Sequence, residues 1–373
     1  MIKNWSKTLC LLILCSCGVD QESLINFEEF AIHTNGANEQ DFKTLFFDDE
    51  LISVFRNEVN QNLSYYSIHD TALILTESMK VKDSLNLNSR IYPVDKNEMI
   101  LYAPWDSLEL TYLGKDTVMH INFKNDSGLW NNGLVISQDP KLCNYYSGNV
   151  NSFEFKLETF NKNISENSYP MTGSLDLNTR DIDFIGVKFP KLYQDNYYGL
   201  LSDIQQVYTD EYIFYNPIIL PEIWRYNRLS EVVDIIPFQS QYQTFPVPSI
   251  SSEDLEQSDS KTILMKHQKQ NGKYPSFVYN KYTNHYYRFY VHPMPEKNEE
   301  GYFNTYKDAK VSVIILDENL EVIEEKMLPE ACFFIYLTVP TKDGLIINRG
   351  SLFEEEKMNL LLISVDETKV DTK

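Results

Sequence analysis

The densest group of side chains capable of chemistry lies in the run His285–His292, HYYRFYVH. As a strand it places His285, Tyr287 and Phe289 on one face and Tyr286, Arg288, Tyr290 and His292 on the other, because successive side chains alternate. A face with an arginine, a histidine and two tyrosines can line a polar groove for a sugar or a carboxylate. The guanidinium offers a bidentate fork, and each tyrosine a flat apolar ring ending in a hydroxyl. Tyr286, Arg288, Tyr290 and His292 are therefore the candidate ligand-binding residues. The competing expectation is a packed interior in which Arg288 pairs with a buried carboxylate.

Other chemistry is harder to place. The two histidines of this run, with a carboxylate from elsewhere, could hold a metal, but the chain's six scattered histidines show no ligand spacing. No metal or other cofactor is expected. Asp48-Asp49-Glu50 lacks the spaced oxygens and the glycine of a calcium loop. Paired acids such as Glu324-Glu325 are too common in so acidic a chain to mark a glycosidase pair. There is no GxSxG, HExxH or phosphate loop, so no catalytic residue is assigned. One pattern stands out. Asp70-Thr71-Ala72, Asp83-Ser84-Leu85, Asp106-Ser107-Leu108 and Asp116-Thr117-Val118 resemble the Asp-Ser/Thr-aliphatic sequon of Bacteroidetes O-glycosylation, where ordinary composition gives roughly one such triplet. Thr71, Ser84, Ser107 and Thr117 are the candidate acceptors. The competing reading is a set of Asp-initiated turns leading into strands.

The N-terminus carries the most specific signal. Lys3 and Lys7 precede a short apolar run, Leu9–Cys15, too short to span a bilayer. Leu14-Cys15-Ser16-Cys17 resembles a bacterial lipobox. The resemblance implies a diacylglyceryl group on the Cys17 thiol and cleavage that leaves Cys17 as the new N-terminus. Residues 1–16 are then a signal peptide, 17–24 a lipidated tether and 25–373 one domain. Two or more acyl chains anchor stably where one does not. The tether residues Gly18-Val19-Asp20-Gln21-Glu22 loosely resemble the acidic signal that sends some Bacteroidetes lipoproteins to the cell surface. The expected location is the outer membrane, facing the periplasm or the surface, with the membrane met through the lipid anchor only.

Composition narrows the partners. The 373 residues carry a formal net charge of −21 and no basic stripe, so nucleic acid is not an expected partner. A protein or glycan partner is, and the domain is expected to be a monomer. Outside the signal region only Cys143 and Cys332 remain. Each lies beside aromatic residues, which suits buried free thiols, with a disulfide open in an oxidising compartment.

The elements that position these residues are strands. Trp224–Phe238 reads as strand, tight turn at Asn227-Arg228-Leu229-Ser230, strand, and a stop at Pro237. Lys310–Pro329 repeats it, with Val311–Leu316, a turn at Asp317-Glu318-Asn319, and Leu320–Met327. Leu63–Val81 and Leu108–Phe123 repeat it more loosely. Strand pairs recurring without helices between them point to an all-β repeat fold, a propeller. The Ser- and acid-rich Pro248–Ser260 reads as a surface loop with at most one helical turn. The last set, Phe333–Val339, Gly344–Asn348 and Asn359–Ser364, is one strand short, while Ile25–His33 is a strand without a neighbour in sequence. The expectation is six four-stranded blades, with seven as the alternative and Ile25–His33 closing the last blade.

The stretches YNKYTNHYYRFYVHP (Tyr279–Pro293), VSVIILDENLEVIEEKMLP, DGLIINRG (Asp343–Gly350) and FIGVKFPKLY (Phe184–Tyr193) resemble Bacteroidetes lipoproteins of the uncharacterised-domain family 4221. The resemblance covers most of the mature chain and implies a propeller-like fold with no established activity. Together these readings suggest a lipid-anchored envelope module that binds or scaffolds a protein or glycan. A carbohydrate hydrolase or lyase working at the propeller channel is the alternative. Convergent acids with a perturbed base at a channel mouth would favour the enzyme; an apolar or aromatic outer patch would favour the binding module.

Overall fold

The computed structural model describes residues 23–33, the strands between residues 43 and 188, residues 192–193 and, apart from short stretches, residues 196–366. The chain is all-β in class, and its strands fall into consecutive antiparallel groups. β1 is Ile25–His33. β2 (Lys43–Phe47), β3 (Glu50–Asn57), β4 (Asn62–His69) and β5 (Ala72–Lys80) form the first group. β6 (Arg90–Pro93) to β9 (Val118–Asn122) form the second, through β7 (Met99–Ala103) and β8 (Glu109–Leu113). β10 (Leu134–Ile136), β11 (Tyr146–Asn149), β12 (Ser152–Thr159), β13 (Pro170–Asp176) and β14 (Ile182–Lys188) form a five-stranded sheet. β15 (Ile204–Tyr208), β16 (Tyr212–Pro217), β17 (Glu222–Asn227) and β18 (Val233–Pro237) make the next. β19 (Lys273–Asn280), β20 (His285–Val291), β21 (Val311–Leu316) and β22 (Val322–Met327) follow. Last come β23 (Thr338–Thr341), β24 (Gly344–Asn348) and β25 (Lys357–Val365). β1 lies antiparallel to β25 from Ile25↔Val365 to His33↔Lys357. It meets β5 only at the parallel pair His33↔Ala72.

The two hairpins read from the sequence form by one chemistry. Asn227 Oδ1 accepts the N–H groups of Leu229 and Ser230, at 3.0 and 2.8 Å. Asp317 Oδ1 accepts those of Asn319 and Glu321, at 2.9 and 2.8 Å. A short polar side chain bonding the backbone two residues on starts the turn. Each turn then needs one left-handed residue, Glu231 in the first (φ 58°) and Leu320 in the second (φ 67°). That costs some strain, which the strand ladders and the burial of Leu320 offset.

Several elements differ from expectation. Pro248–Ser260 contains a short helix, α1 (Ser252–Leu255), and ends where a longer one begins, α2 (Ser260–Gln270). The all-strand reading missed α2 because SKTILMKHQKQ is polar and buries no residue fully. Its Lys, Leu, Met and Gln are nonetheless good helix formers. Two of its last carbonyls are satisfied from outside: Asn271 donates to His267 O at 2.8 Å, and Lys273 Nζ to Gln268 O at 3.1 Å. β2, β6, β11, β13 and β15 also went unread. β15, IQQVY, is buried throughout, including Gln205 and Gln206. A glutamine pair breaks the apolar pattern on which strand reading depends. Of the strand expected at Phe333–Val339, the described part is β23, and residues 333–337 lie outside the described residues.

β20 is packed on both faces. Tyr287 and Phe289 join Val313, Ile315, Leu345, Ile347, Leu361 and Ile363 in a core shared with the last group of strands. Tyr286 and Tyr290 join Val207, Phe214, Ile223, Phe238, Tyr274 and Phe277 in a core shared with β15–β18. No helix among the described residues is long and apolar enough to cross a membrane.

Candidate functional site

Arg288 stands at the centre of the second core and is completely buried. The strand alternation is as expected, and Tyr286, Arg288 and Tyr290 share a face; that face is covered by the neighbouring sheet. Instead of lining an open groove, Arg288 reaches across to β16, β17 and the end of β18. Its Nε donates to Asn216 Oδ1 at 2.9 Å and its Nη1 to Phe238 O at 2.8 Å. Its Nη2 donates to Leu220 O at 2.7 Å and Glu222 O at 3.1 Å. The guanidinium also stacks 3.8 Å from the Tyr274 ring centroid. The packed-interior expectation thus holds in kind, with one correction: its hydrogen-bond acceptors are main-chain carbonyls and an amide, not a carboxylate.

The sequence explains why those carbonyls need an arginine. The β16–β17 register ends at Tyr215↔Trp224, and β16 ends in Pro217. Pro217, Pro221 and Pro237 have no N–H to offer, so the chain around them carries acceptors that strand pairing leaves short of donors. A planar guanidinium with five N–H groups supplies several at once. Burial pulls its pKa down to about 9, with Tyr274, Glu222 and Tyr193 opposing, so it stays protonated at neutral pH.

A polar chain leads outward from this node. Ser240 N–H donates to Tyr274 Oη at 2.9 Å, and Tyr274 Oη donates to Gln243 Oε1 at 2.5 Å. Glu325 accepts from Ser240 Oγ, Gln241 N and Ser312 Oγ at 2.5, 2.7 and 2.7 Å. His292 Nε2 lies 3.3 Å from Ser312 Oγ. Ser312 gives its one proton to Glu325, so His292 is the donor there. Desolvation, then Lys310, lowers the His292 pKa, which keeps the ring neutral near pH 7. The serine, histidine and acid are thus together, but the proton runs the wrong way for a nucleophile activated by its histidine, and Ser312 is fully buried. Tyr242 and Tyr290 flank His292 at ring separations of 4.9 and 5.0 Å. Burial raises the Tyr290 hydroxyl to about 12. Asn216, Tyr274 and Gln243 went unread in the sequence, and Glu325 was met only as one of many paired acids. A signal existed for Asn216, a polar residue inside the apolar run YIFYNP.

The described surface also carries exposed apolar groups. Leu229 and Val232 at the β17–β18 turn are 94% and 54% exposed, and Val233 and Ile235 on β18 are 41% and 64% exposed. β18 is the edge of its sheet. Tyr302, Phe303 and Tyr306 are exposed on the β20–β21 connection. Cys332 is a free, buried thiol whose pKa burial raises to about 11. No group of three metal-ligating side chains occurs among the described residues. Cys17, Thr71, Ser84, Ser107, Thr117 and Cys143 lie outside the described residues.

No family model and no curated protein matches the chain. Solved structures do. A member of the duf4221 family from Bacteroides vulgatus ATCC 8482 superposes with a TM-score of 0.71 at 15% identity, covering 91% of this chain and 98% of that one. A candidate exported protein from Bacteroides fragilis NCTC 9343 superposes with a TM-score of 0.51 at 13% identity, covering 93% of this chain and 97% of that one. The resemblance read from the sequence is therefore met in three dimensions: the chain has the fold of the uncharacterised-domain family 4221.

Proposed function

We propose that the protein is a lipid-anchored module of the cell envelope that binds or scaffolds a partner, built as a six-bladed propeller. The strand groups β2–β5, β6–β9, β10–β14, β15–β18 and β19–β22 supply five blades, and β23–β25 with β1 the sixth. Pairing of the first strand with the last is the way a ring of sheets protects its final edge. The likeness to the candidate exported protein of Bacteroides fragilis supports the envelope, as does the lipobox-like Leu14–Cys17. Cys17→Ser should leave the chain unlipidated and move it from the detergent phase to the aqueous phase on phase partitioning. Unchanged partitioning sinks the anchor.

The observation that carries the binding role is the apolar hairpin Leu229–Ile235, exposed on an edge strand. Soluble proteins limit such patches and cover such edges unless a partner uses them. The enzyme reading would need convergent acids on open surface, whereas the acid of this site, Glu325, is held by three donors. The test is in-membrane cross-linking of wild type and a Val233→Asp, Ile235→Asp double variant. Surface changes of this kind shift stability by about 0.5 kcal/mol each or less, so the melt should hold while the cross-linked adduct disappears. An adduct that survives in the double variant refutes this face as the binding surface.

A further inference from the structure

A cavity of about 320 Å³ opens beside the Arg288 node. Its walls are aliphatic or proline: Leu192, Ile219, Leu220, Pro221, Pro246 and Val247. Tyr198, Gln239 and Gln243 complete the lining. None of these side chains is charged at neutral pH, and burial pushes the Tyr198 phenol further from ionisation. The neighbouring cation is spent. Arg288 is not in the lining; it donates to the Leu220 carbonyl, and its Nε, Nη1 and Nη2 are all engaged within the protein. A carboxylate or an ammonium entering here would lose hydration with no opposite charge to replace it.

The two carboxamides have settled orientations. Tyr274 Oη accepts from Ser240 N–H, so its own proton goes to Gln243 Oε1. That turns the Nε2 end of Gln243 away from Tyr274, and it finds no partner among the described residues. Gln239 Nε2 donates to the Gln243 main-chain carbonyl at 3.0 Å, which leaves Gln239 Oε1 as an acceptor. The two glutamines in the lining of an otherwise apolar cavity therefore carry one N–H donor and one carbonyl acceptor, held in place through Tyr274 and the Gln239–Gln243 contact. A carboxamide presents the complementary pair.

We infer that this cavity is a binding site for a neutral, amide-bearing ligand with a short aliphatic body. The volume of 320 Å³ admits about ten non-hydrogen atoms, taking the ~30 Å³ of a liquid water molecule as the unit. Apolar walls with a few fixed polar groups are the usual make-up of small-molecule sites. The site is separate from the β17–β18 hairpin, so it stands or falls independently of the partner face.

The test is saturation-transfer NMR on the whole protein with three probes of one length: hexanamide, hexanoate and hexylammonium. Hexanamide should show transfer at least tenfold above both charged probes. Val247→Trp, which fills the cavity, should abolish it. Gln239→Leu, an exposed change that removes the acceptor together with the Gln239–Gln243 contact, should weaken hexanamide severalfold and lower the melt only slightly. No hexanamide signal in wild type overturns the inference. So does hexanoate binding as well as hexanamide, or a hexanamide signal that neither variant changes.

Discussion

Replacing Arg288 with alanine should unfold the protein at markedly lower denaturant, with a loss of roughly 3–5 kcal/mol. The guanidinium contacts Asn216 Oδ1 and the carbonyls of Leu220, Glu222 and Phe238, all drawn from the neighbouring sheet. Each acceptor left buried without a donor costs about 1–3 kcal/mol, and the void under the Tyr274 ring adds to that. Some recovery is expected as water enters, so the sum is less than four full penalties. Arg288→Lys should recover little, because one ammonium on a flexible stem cannot serve four acceptors spread around a planar fork. Arg288 remains charged through neutral pH and donates to no carboxylate, so the loss should be nearly constant between pH 5 and 8. Urea unfolding of both variants at the two pH values settles the matter. A midpoint equal to wild type would mean that the carbonyls are satisfied without the guanidinium, and Arg288 would return as a group free to act on a ligand.

The same residue shows how far the sequence could be read. Alternation in HYYRFYV placed Arg288 with Tyr286 and Tyr290 on one face, and the structure keeps that face. Alternation says nothing about what lies opposite. Whether a face lines a groove or a core depends on the strand laid against it, and here that strand belongs to a sheet begun eighty-odd residues earlier, at Ile204. The acceptors were hidden for a related reason. Pro237 read as a strand stop, while the carbonyls that Pro217, Pro221 and Pro237 leave unmatched become visible only once the register is known. Turns were legible because their chemistry is local: Asn227 and Asp317 each bond a backbone N–H two residues away. α2 and β15 were illegible because their polar residues are held by tertiary contacts. Gln205 Oε1 accepts Phe277 N–H from β19 at 2.5 Å, a partner that no window around Gln205 contains.

Removing residues 1–33, and with them β1, should have the other large effect. Leu24, Ile25 and Ile32 are 3%, 0% and 0% exposed. At about 1.5–3 kcal/mol for each buried aliphatic side chain, their loss alone approaches the ~5–15 kcal/mol by which a domain is usually stable. The strand is also held at its first residues. Glu324 accepts from Ser23 Oγ, Leu24 N and Ile25 N at 2.8, 2.6 and 3.2 Å. Lys326 Nζ donates to Ile25 O at 2.6 Å and lies 4.8 Å from the Phe27 ring centroid. Without β1 the whole length of β25, with Leu360, Leu361 and Ile363, becomes an open edge, which invites pairing between copies. The truncated chain should lose its cooperative melt and aggregate. A synthetic peptide of Ser23–His33 added in trans should restore solubility and the melt, because that segment carries every group that pairs with β25 or donates to Glu324. The clamp can be tested with the strand in place. Glu324→Ala strands the Leu24 N–H, while the Ile25 N–H keeps Ser23 Oγ at 3.2 Å, and should cost about 1–3 kcal/mol, less than the truncation. If the truncated chain instead melts as a soluble monomer at the wild-type temperature, β1 is an ornament on a fold complete without it, and the ring proposed above must close elsewhere.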